Sequence, residues 1–266
     1  MDKQQASSLL QLTYIGHATV LIEMDGIRLL TDPLLRSRVG PLLRKGTVPG
    51  PSLYQNVDVI LISHIHPDHL DLFSLRLLDR GTQVIVPRGA GRLLCQRGFQ
   101  HVTEVCAGET VEVGPLKITA TYARHHASGY RLGSNVYCLG FIIGGSYDIY
   151  FAGDTGLFPE MAKLTENLDV ALLPVWGWGP WLRGHHLTPY QAAEAVTLLH
   201  PRLAVPIHWG TFYPLGMRWM WPRFLTRPPG EFAHHVAHLA PWVEVRVVPP
   251  GGTLQWDGDS ASRGKR

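Results

Sequence analysis

Cysteine is scarce in this chain of 266 residues, which contains only Cys95, Cys106 and Cys138. No two of them have the spacing of a zinc finger, and an odd, sparse set does not make a disulfide framework. We therefore expect all three to be buried as small apolar residues. Such cysteine usage is typical of a reducing compartment, so a cytoplasmic location is predicted.

Long hydrophobic runs are lacking too. The longest, such as the run at 137–143, have the length of a strand and fall far short of the roughly 20 residues of a membrane helix. The chain starts without a basic segment followed by an apolar one, so no secretory signal is predicted. Charge is nearly balanced, with 24 Lys and Arg against 21 Asp and Glu and no basic block. An integral membrane segment and a nucleic-acid partner are therefore not expected.

Signatures of several enzyme classes are also missing. The chain has no nucleophile elbow of the GxSxG type, no Walker loop and no GxGxxG after a strand. It has no short-period repeat and no evident linker, which favours a single domain. We place that domain at residues 12–256, after an N-terminal segment 1–11 and before a flexible tail 257–266. Nothing in the sequence indicates the oligomeric state.

Short β-rich runs alternate with helical ones along the chain, which predicts an α/β fold. A turn at 25–26 indicates a hairpin, and the apolar run 57–62 indicates a buried strand over residues 57–63. Residues 71–81 have helical spacing. A second helix is expected after Thr188, with Gln191 completing a capping box.

The most informative stretch is HIHPDH, residues 64–69, which directly follows the buried strand. In an extended segment, His64 and His66 point the same way and can bind one metal ion. If the chain then turns into a helix, Asp68 and His69 point elsewhere, toward a second ion. Imidazole and carboxylate are ligands of the zinc type, so the stretch predicts half of a two-metal site.

The remaining ligands must come from later strand ends. Three places follow an apolar run and offer suitable side chains: His125 or His126, then Asp154, then His208. A carboxylate such as Asp154 can bridge two metals. Together with the first stretch these positions supply seven protein ligands.

This series of ligands resembles that of the metallo-β-lactamase superfamily. The likeness is strongest to the branch of N-acylphosphatidylethanolamine-hydrolysing phospholipase D and bacterial L-ascorbate-6-phosphate lactonase-like hydrolases, and it covers about residues 12–250. It implies a four-layer αββα sandwich with the metal site at one edge of two facing sheets. The segments that carry it are YIGHATVLIEMDGIRLLTDP, LISHIHPDHLD, FAGDTG and PIHWGTF.

The resemblance also implies an assignment of ligands to two divalent metal ions, zinc being expected and manganese the alternative. His64, His66 and His125 go to the first ion, Asp68, His69 and His208 to the second, and Asp154 bridges them. Relatives carry an Ala-Gln-His-aromatic run where this chain has Arg124 before His125 and His126 after it. His126 therefore stays open as the alternative ligand.

Three further residues match positions of the same branch. Asp32 would support the site through a hydrogen bond to a ligand, the alternative being a plain turn residue. His17 would also belong to the surroundings of the ligands, unless it is a buried histidine bonded to backbone. His186 would lie near the substrate, where it steadies developing negative charge or donates a proton. Its neighbour His185 competes for that role, and a plain loop histidine is the alternative.

Two loops are expected to decide the substrate. Residues 33–56 form a long segment rich in Pro, Gly, Arg and Leu. The second loop contains Trp176, Trp178 and Trp181, whose spacing is too irregular for a helix. These rings form an aromatic wall over the metals, or they fold back on the body or meet another subunit.

The residues and the resemblance together predict a dinuclear hydrolase whose metal-bridging hydroxide attacks the substrate, with Asp68 orienting that hydroxide. The first motif keeps its histidines and no flavin domain is seen, which argues for hydrolysis rather than redox chemistry. The expected partner is a small-molecule or lipid-like ester, most simply a phosphodiester. A lactone or other carboxylic ester is the alternative, and a non-catalytic binding module is a second one.

Overall fold

Two large β-sheets dominate the computed structural model, which describes residues 9–126, 136–177, 186–216 and 222–258. In chain order, the strands are β1 (Leu10–Gly16), β2 (Thr19–Met24), β3 (Ile27–Thr31), β4 (Arg38–Val39), β5 (Leu42–Arg44), β6 (Val59–Leu61), β7 (Gln83–Pro87), β8 (Val102–Val105), β9 (Thr110–Val113), β10 (Leu116–Tyr122), β11 (Leu139–Gly144), β12 (Asp148–Phe151), β13 (Val170–Pro174), β14 (Leu203–Ile207), β15 (Phe212–Pro214), β16 (Glu244–Val245) and β17 (Gly252–Trp256). The helices are α1 (Leu72–Leu75), α2 (Gly91–Cys95), α3 (Pro189–Leu199) and α4 (Pro228–Leu239).

Each large sheet joins an antiparallel half to a parallel half. The first has the order β17-β1-β2-β3-β6-β7-β8, and the second has the order β16-β14-β13-β12-β11-β10-β9. Strands β3, β6, β7 and β8 run parallel in the first sheet, as do β12, β13, β14 and β16 in the second. A small third sheet pairs β15 with β5 and β5 with β4.

The alternating direction of the side chains along β6 shows how the layers form. Val59 and Leu61 belong to a core shared by both large sheets, whereas Ile60 and Ile62 belong to a second core that includes apolar residues of α1 and α2. All four side chains are fully buried. Because successive residues of a strand face opposite ways, a strand covered on both faces must be apolar throughout, as predicted for 57–63.

Helices α3 and α4 pack against each other and contribute to the core of the second sheet. The predicted capping box is confirmed: Thr188 Oγ1 accepts from the N–H of Gln191 at 3.1 Å, and Gln191 Oε1 accepts from the N–H of Thr188 at 3.2 Å. Helices thus cover the outer faces of both sheets, which confirms the αββα sandwich. Among the described residues, no helix combines the length and the apolarity needed to cross a bilayer.

Three expectations from the sequence need correction. The helix expected at 71–81 ends at Leu75, and the chain continues in turns. The loop at 33–56 contains two short strands, β4 and β5, which were not foreseen because their partner β15 lies far along the chain. Of the three cysteines only Cys138 is buried, while Cys95 is exposed because it ends α2 on the side away from the core.

The predicted metal ligands sit at the same edge of the sandwich. Asp32 follows β3, His64 follows β6, Asp154 follows β12 and His208 follows β14. All four are parallel strands of the two large sheets. The carboxyl ends of such strands meet at one edge, which is where α/β proteins gather their functional groups.

Candidate metal centre

Three histidine nitrogens converge at the first cluster. His64 Nε2 lies 3.0 Å from His66 Nδ1, and His125 Nε2 lies 3.3 Å from the same atom. One ligand atom from each of the three side chains lies within 4.8 Å of the other two. His126 is exposed and is not part of this cluster. The structure therefore brings together the three histidines that the resemblance assigns to one ion.

The second cluster contains Asp68, His69 and His208, together with His17, again within 4.8 Å of one another. Asp154 lies beside it and presents a different oxygen to each of two histidines. Its Oδ2 is 3.2 Å from His69 Nε2, and its Oδ1 is 3.3 Å from His208 Nε2. Asp154 also belongs to a group with His125 of the first cluster, so one carboxylate contacts both sets of ligands.

Hydrogen bonds fix which nitrogen of His64 and of His69 is free to bind a metal. Asp32 accepts the Nδ1–H of His69 at 2.7 Å and the hydroxyl of Ser63 at 2.5 Å. Because that hydroxyl has one hydrogen, Ser63 Oγ must accept from His64 Nδ1, 2.9 Å away. Both rings therefore carry a hydrogen on Nδ1 and turn Nε2 into the site. Asp32 has the supporting position predicted from the sequence.

His208 is oriented in the same manner by a backbone group. Its Nδ1–H donates to the carbonyl of Trp176 at 2.6 Å, which leaves Nε2 to face Asp154. The ring of Trp176 is buried against Tyr213 and Leu225 and stacks on Phe224. Trp176 thus folds back onto the body of the protein instead of forming a wall over the site. Trp178 and Trp181 lie outside the described residues.

Electrostatics favour a cation between these groups. Burial opposes the charge of Asp154, but His208, His69 and His186 hold its pKa well below the usual value. Burial also opposes protonation of His69, but Asp154 and Asp32 together raise the pKa of His69 well above its usual value. A proton on His69 Nε2 would thus stand where a metal ion would bind.

Three further candidate ligands, His64, His66 and Asp68, are in the protonation state that metal binding requires. Burial lowers the pKa of His64 and of His66, so these rings are neutral. Burial raises the pKa of Asp68, but the hydrogen bond from His17 and the charges of His69 and His17 together outweigh it, and the pKa lies well below the usual value. Burial, aided by His208, lowers the pKa of His17 itself to about 3.

His186 lies at the rim of both clusters. Its Nδ1 is 3.5 Å from Asp154 Oδ2, and its ring centroid is 4.7 Å from that of His125. A Cβ at Gly177 would come within 2.4 Å of the His186 ring, so only glycine lets the ring lie there. Burial lowers the pKa of His186 to about 4, although Asp154 opposes the shift. The competing His185 lies outside the described residues.

The site is closed at its base and open at one side. Asp32, His64, His69 and His208 are buried, whereas the side chains of Asp68 and His186 are 15% and 17% exposed. His66 and His125 are also partly exposed. Within the described part of the chain, these four residues mark the side from which a substrate can approach the centre.

The side chains fit a bound metal. Buried atoms that are aimed into the site and make no hydrogen bond include His69 Nε2, Asp154 Oδ1 and His186 Nδ1. Leaving buried polar atoms unsatisfied is costly unless another group binds them. Imidazoles and carboxylates within a few ångströms are the donor set of zinc-type ions.

Two groups that shape the site were not predicted from the sequence. Ser63 orients His64 through its hydroxyl, and the Trp176 carbonyl orients His208. Ser63 directly precedes the first motif, which was the available signal. A backbone carbonyl leaves no signal in a sequence.

Comparisons with known proteins agree with this geometry. A family model described as the beta-lactamase superfamily domain matches residues 27–209. A UPF0173 metal-dependent hydrolase of Methanopyrus kandleri is 31% identical, over 92% of this chain and 100% of its own length. An N-acyl-phosphatidylethanolamine-hydrolyzing phospholipase D of Caenorhabditis elegans is 31% identical, over 81% of this chain and 67% of its own length. The crystal structure of Igni18, a metallo hydrolase of Ignicoccus hospitalis, has a TM-score of 0.71 and 29% identity, and the match covers 93% of this chain and 98% of that one.

Proposed function

This chain belongs to the metallo-β-lactamase superfamily and is a metal-dependent hydrolase, and from that premise we propose that it binds two divalent ions, zinc first, and hydrolyses a phosphodiester. The observation that carries the proposal is the position of Asp154. One carboxylate oxygen faces His69 at 3.2 Å and the other faces His208 at 3.3 Å, while the same side chain lies near His125. A single carboxylate shared by two ligand clusters is what a dinuclear site needs.

The contacts among the candidate ligands divide them into two sets, one for each ion. One ion would be held by His64, His66 and His125, the other by Asp68, His69 and His208, with Asp154 shared. When bound, a pair of divalent ions supplies an acidified water and polarises the attacked phosphoryl group. The protein supplies the placement of that water and of the substrate.

Asp68 and His186 are proposed to contact the reacting groups. Asp68 is an ionised, partly exposed carboxylate, which suits it to orient the attacking water as well as to bind an ion. His186 is neutral over most of the pH range because its pKa is lowered to about 4. Of the two roles predicted for it, donation of a hydrogen bond to developing negative charge is therefore favoured over transfer of a proton.

The charge near the site favours a phosphodiester over a neutral lactone. Residues 33–56 contain four cations, Arg36, Arg38, Arg44 and Lys45, and no Asp or Glu. The Arg44 guanidinium stacks on Phe212, whose ring edge meets His17 of the second cluster. A cation beside the centre attracts an anionic substrate. The name of the C. elegans relative supports the same class.

The proposal keeps the cytoplasmic location predicted from the sequence. It is supported by the cysteine usage of the sequence, since three cysteines do not make a disulfide framework and such sparse usage is typical of reducing compartments.

Metal content and a substrate panel test the proposal. Purified protein is analysed for bound metals and assayed with bis-p-nitrophenyl phosphate, with phosphodiesters bearing an acyl chain and with a set of lactones. Asp154→Asn is compared with Asp79→Asn, which removes an exposed carboxylate outside the site. We expect the unaltered protein to bind two ions per chain and to hydrolyse phosphodiesters. Asp154→Asn should lose the bound metal and the activity, whereas Asp79→Asn should keep them.

Each contrary result has a distinct meaning. Hydrolysis of lactones but not of phosphodiesters would be consistent with a dinuclear hydrolase and would refute the proposed substrate class. Two bound ions with no turnover of any ester would favour the non-catalytic binding module. A single ion per chain, unaffected by Asp154→Asn, would refute the dinuclear centre.

A further inference from the structure

His17 has a backbone conformation that histidine rarely adopts. Its φ is +60°, in the left-handed region that disfavours side chains with a Cβ. Two hydrogen bonds hold it there. Its N–H donates to Thr211 Oγ1 at 3.0 Å, and its carbonyl accepts the N–H of His208 at 2.7 Å. Backbone strain retained at such a position is a pointer to function.

The preceding residue presses this turn against the segment that follows His208. Gly16 has a φ of +129°, and a Cβ there would come within 2.5 Å of Thr211 Oγ1. No other residue could let the turn approach so closely. The Gly16-His17 pair therefore locks the end of β1 to a ligand of the second cluster.

The His17 ring is itself enclosed. It is 1% exposed, its centroid is 4.0 Å from that of His208, and the Phe212 ring meets its edge at 5.8 Å. Its Nε2 lies 3.1 Å from Asp68 Oδ2. A carboxylate accepts only, so the Nε2–H of His17 donates this bond.

We propose that His17 is a positioning residue that sets the orientation of the Asp68 carboxylate for the second ion. The inference rests on the proposed dinuclear centre and extends it to a residue that binds no metal. Asp68 is at the open side of the site, and its Oδ2 is 3.9 Å from His69 Nε2, too far for a hydrogen bond. The bond from His17 therefore opposes rotation of this carboxylate away from the ligands.

The same residue links Asp68 to His208. One ligand is held through the ring of His17 and the other through its carbonyl, although the two ligands lie in segments far apart in the chain. A ring confined between His208 and Phe212 can present its N–H in one direction only. This accounts for the strain at His17, since the left-handed turn aims the ring at Asp68.

Two substitutions separate the backbone from the ring. His17→Asn keeps the left-handed turn, which Asn tolerates best among residues with a side chain, but its amide is too short to reach Asp68. His17→Gln can reach Asp68 and donate a hydrogen bond, but it lacks the imidazole nitrogen of a metal ligand. His200→Asn is the matched control, because His200 is also left-handed, with a φ of +49°, and is exposed outside the site.

The readouts are the two metal dissociation constants, measured by competition with a chelator, and the visible spectrum of the cobalt-loaded protein. We expect His17→Asn to weaken binding of the second ion about 10- to 100-fold, as loss of a hydrogen bond to a metal ligand does. The affinity for the first ion should not change. The cobalt bands of the second site should shift. His17→Gln should recover most of the affinity, and His200→Asn should match the unaltered protein.

Two results would overturn the inference. If His17→Asn binds both ions as tightly as the unaltered protein, the ring positions nothing. If His17→Gln is as weak as His17→Asn, the lost group is a metal ligand and not a hydrogen-bond donor. Failure of the unaltered protein to bind a second ion would instead refute the dinuclear centre, so the two failures are distinguishable.

Discussion

The Nδ1–H of His69 donates to Oδ2 of Asp32 over 2.7 Å, and neither side chain is reached by solvent. The same carboxylate accepts the N–H and the hydroxyl of Ser63, at 2.7 Å and 2.5 Å. Through Ser63 it also fixes His64. One buried aspartate thus orients a ligand of each cluster, which couples the two ends of the first motif.

Replacing that carboxylate tests the coupling. Asp32→Asn keeps the shape but leaves one acceptor oxygen for three donors, and its amide would face the Nδ1–H of His69. The ring then loses the acceptor for its Nδ1 proton, so the proton that remains on a neutral ring stays on Nε2, the nitrogen proposed to bind metal. We expect the affinity for metal to fall by about 10- to 100-fold at the second site and activity to fall with it. Titration with zinc in a chelator buffer measures the change.

The control for this variant is Asp79→Asn, which changes the same residue type at an exposed position. Its metal affinity and activity should match those of the unaltered protein. Unchanged metal binding in Asp32→Asn would show that Asp32 is a turn residue and nothing more, the alternative raised by its place before Pro33.

Metal binding at His69 should release a proton. Burial disfavours the charged ring, but Asp154 and Asp32 raise the pKa of His69 well above its usual value, so the metal-free ring carries two protons at neutral pH. A metal ion at Nε2 must displace one of them. Affinity for the second ion should therefore rise with pH, about tenfold per pH unit below that pKa.

Calorimetric titrations in buffers of different ionisation enthalpy count this proton. About one proton per second ion is expected near pH 7. None is expected from His64, since burial lowers its pKa well below the usual value, nor from the ionised Asp154. Affinity that does not change with pH would contradict the assignment.

The neighbours His125 and His126 provide a matched pair. His125 Nε2 is 3.3 Å from His66 Nδ1, whereas His126 is exposed and outside the cluster. We expect His125→Asn to lose the first ion, so that metal content falls from two ions per chain to one, with little activity left. His126→Asn should keep both ions. The reverse result would restore His126 as the ligand, the alternative left open by the sequence.

Much of the fold was predictable because its signals are local. The sequence of residues 57–63 predicted a strand buried on both faces, and Thr188 with Gln191 predicted the start of α3. Helix α4 was not predicted. Its sequence starts with Pro228 and Pro229 and contains glycine and three histidines, all weak helix formers, so it depends on packing against α3.

Non-local pairing explains the other omissions. Strands β4 and β5 have two and three residues, and β5 pairs with β15, so no local pattern reveals them. The candidate ligand positions could be proposed from the sequence because most of them lie just after an apolar strand. The groups that orient them, such as the Trp176 carbonyl, come together only in three dimensions.

The neutral state of His186 gives a prediction about pH. Burial lowers its pKa to about 4, so above that value the ring carries no charge and loses no proton as the pH rises. Activity that depended on a protonated His186 would decline through the region of an ordinary histidine, near pH 6.5. We expect no such decline: kcat/KM should not fall between pH 6 and pH 8.

Two substitutions of His186 separate hydrogen bonding from proton transfer. Gln keeps an N–H that can donate to developing negative charge, whereas Ala keeps none. We expect His186→Ala to lower kcat by about 100-fold, the scale of one lost donor to transition-state charge, and His186→Gln to lower it much less. Both should retain two ions. Equal losses in the two variants, larger for poor leaving groups than for p-nitrophenolate, would show instead that His186 transfers a proton to the leaving oxygen, and loss of an ion would make it a ligand.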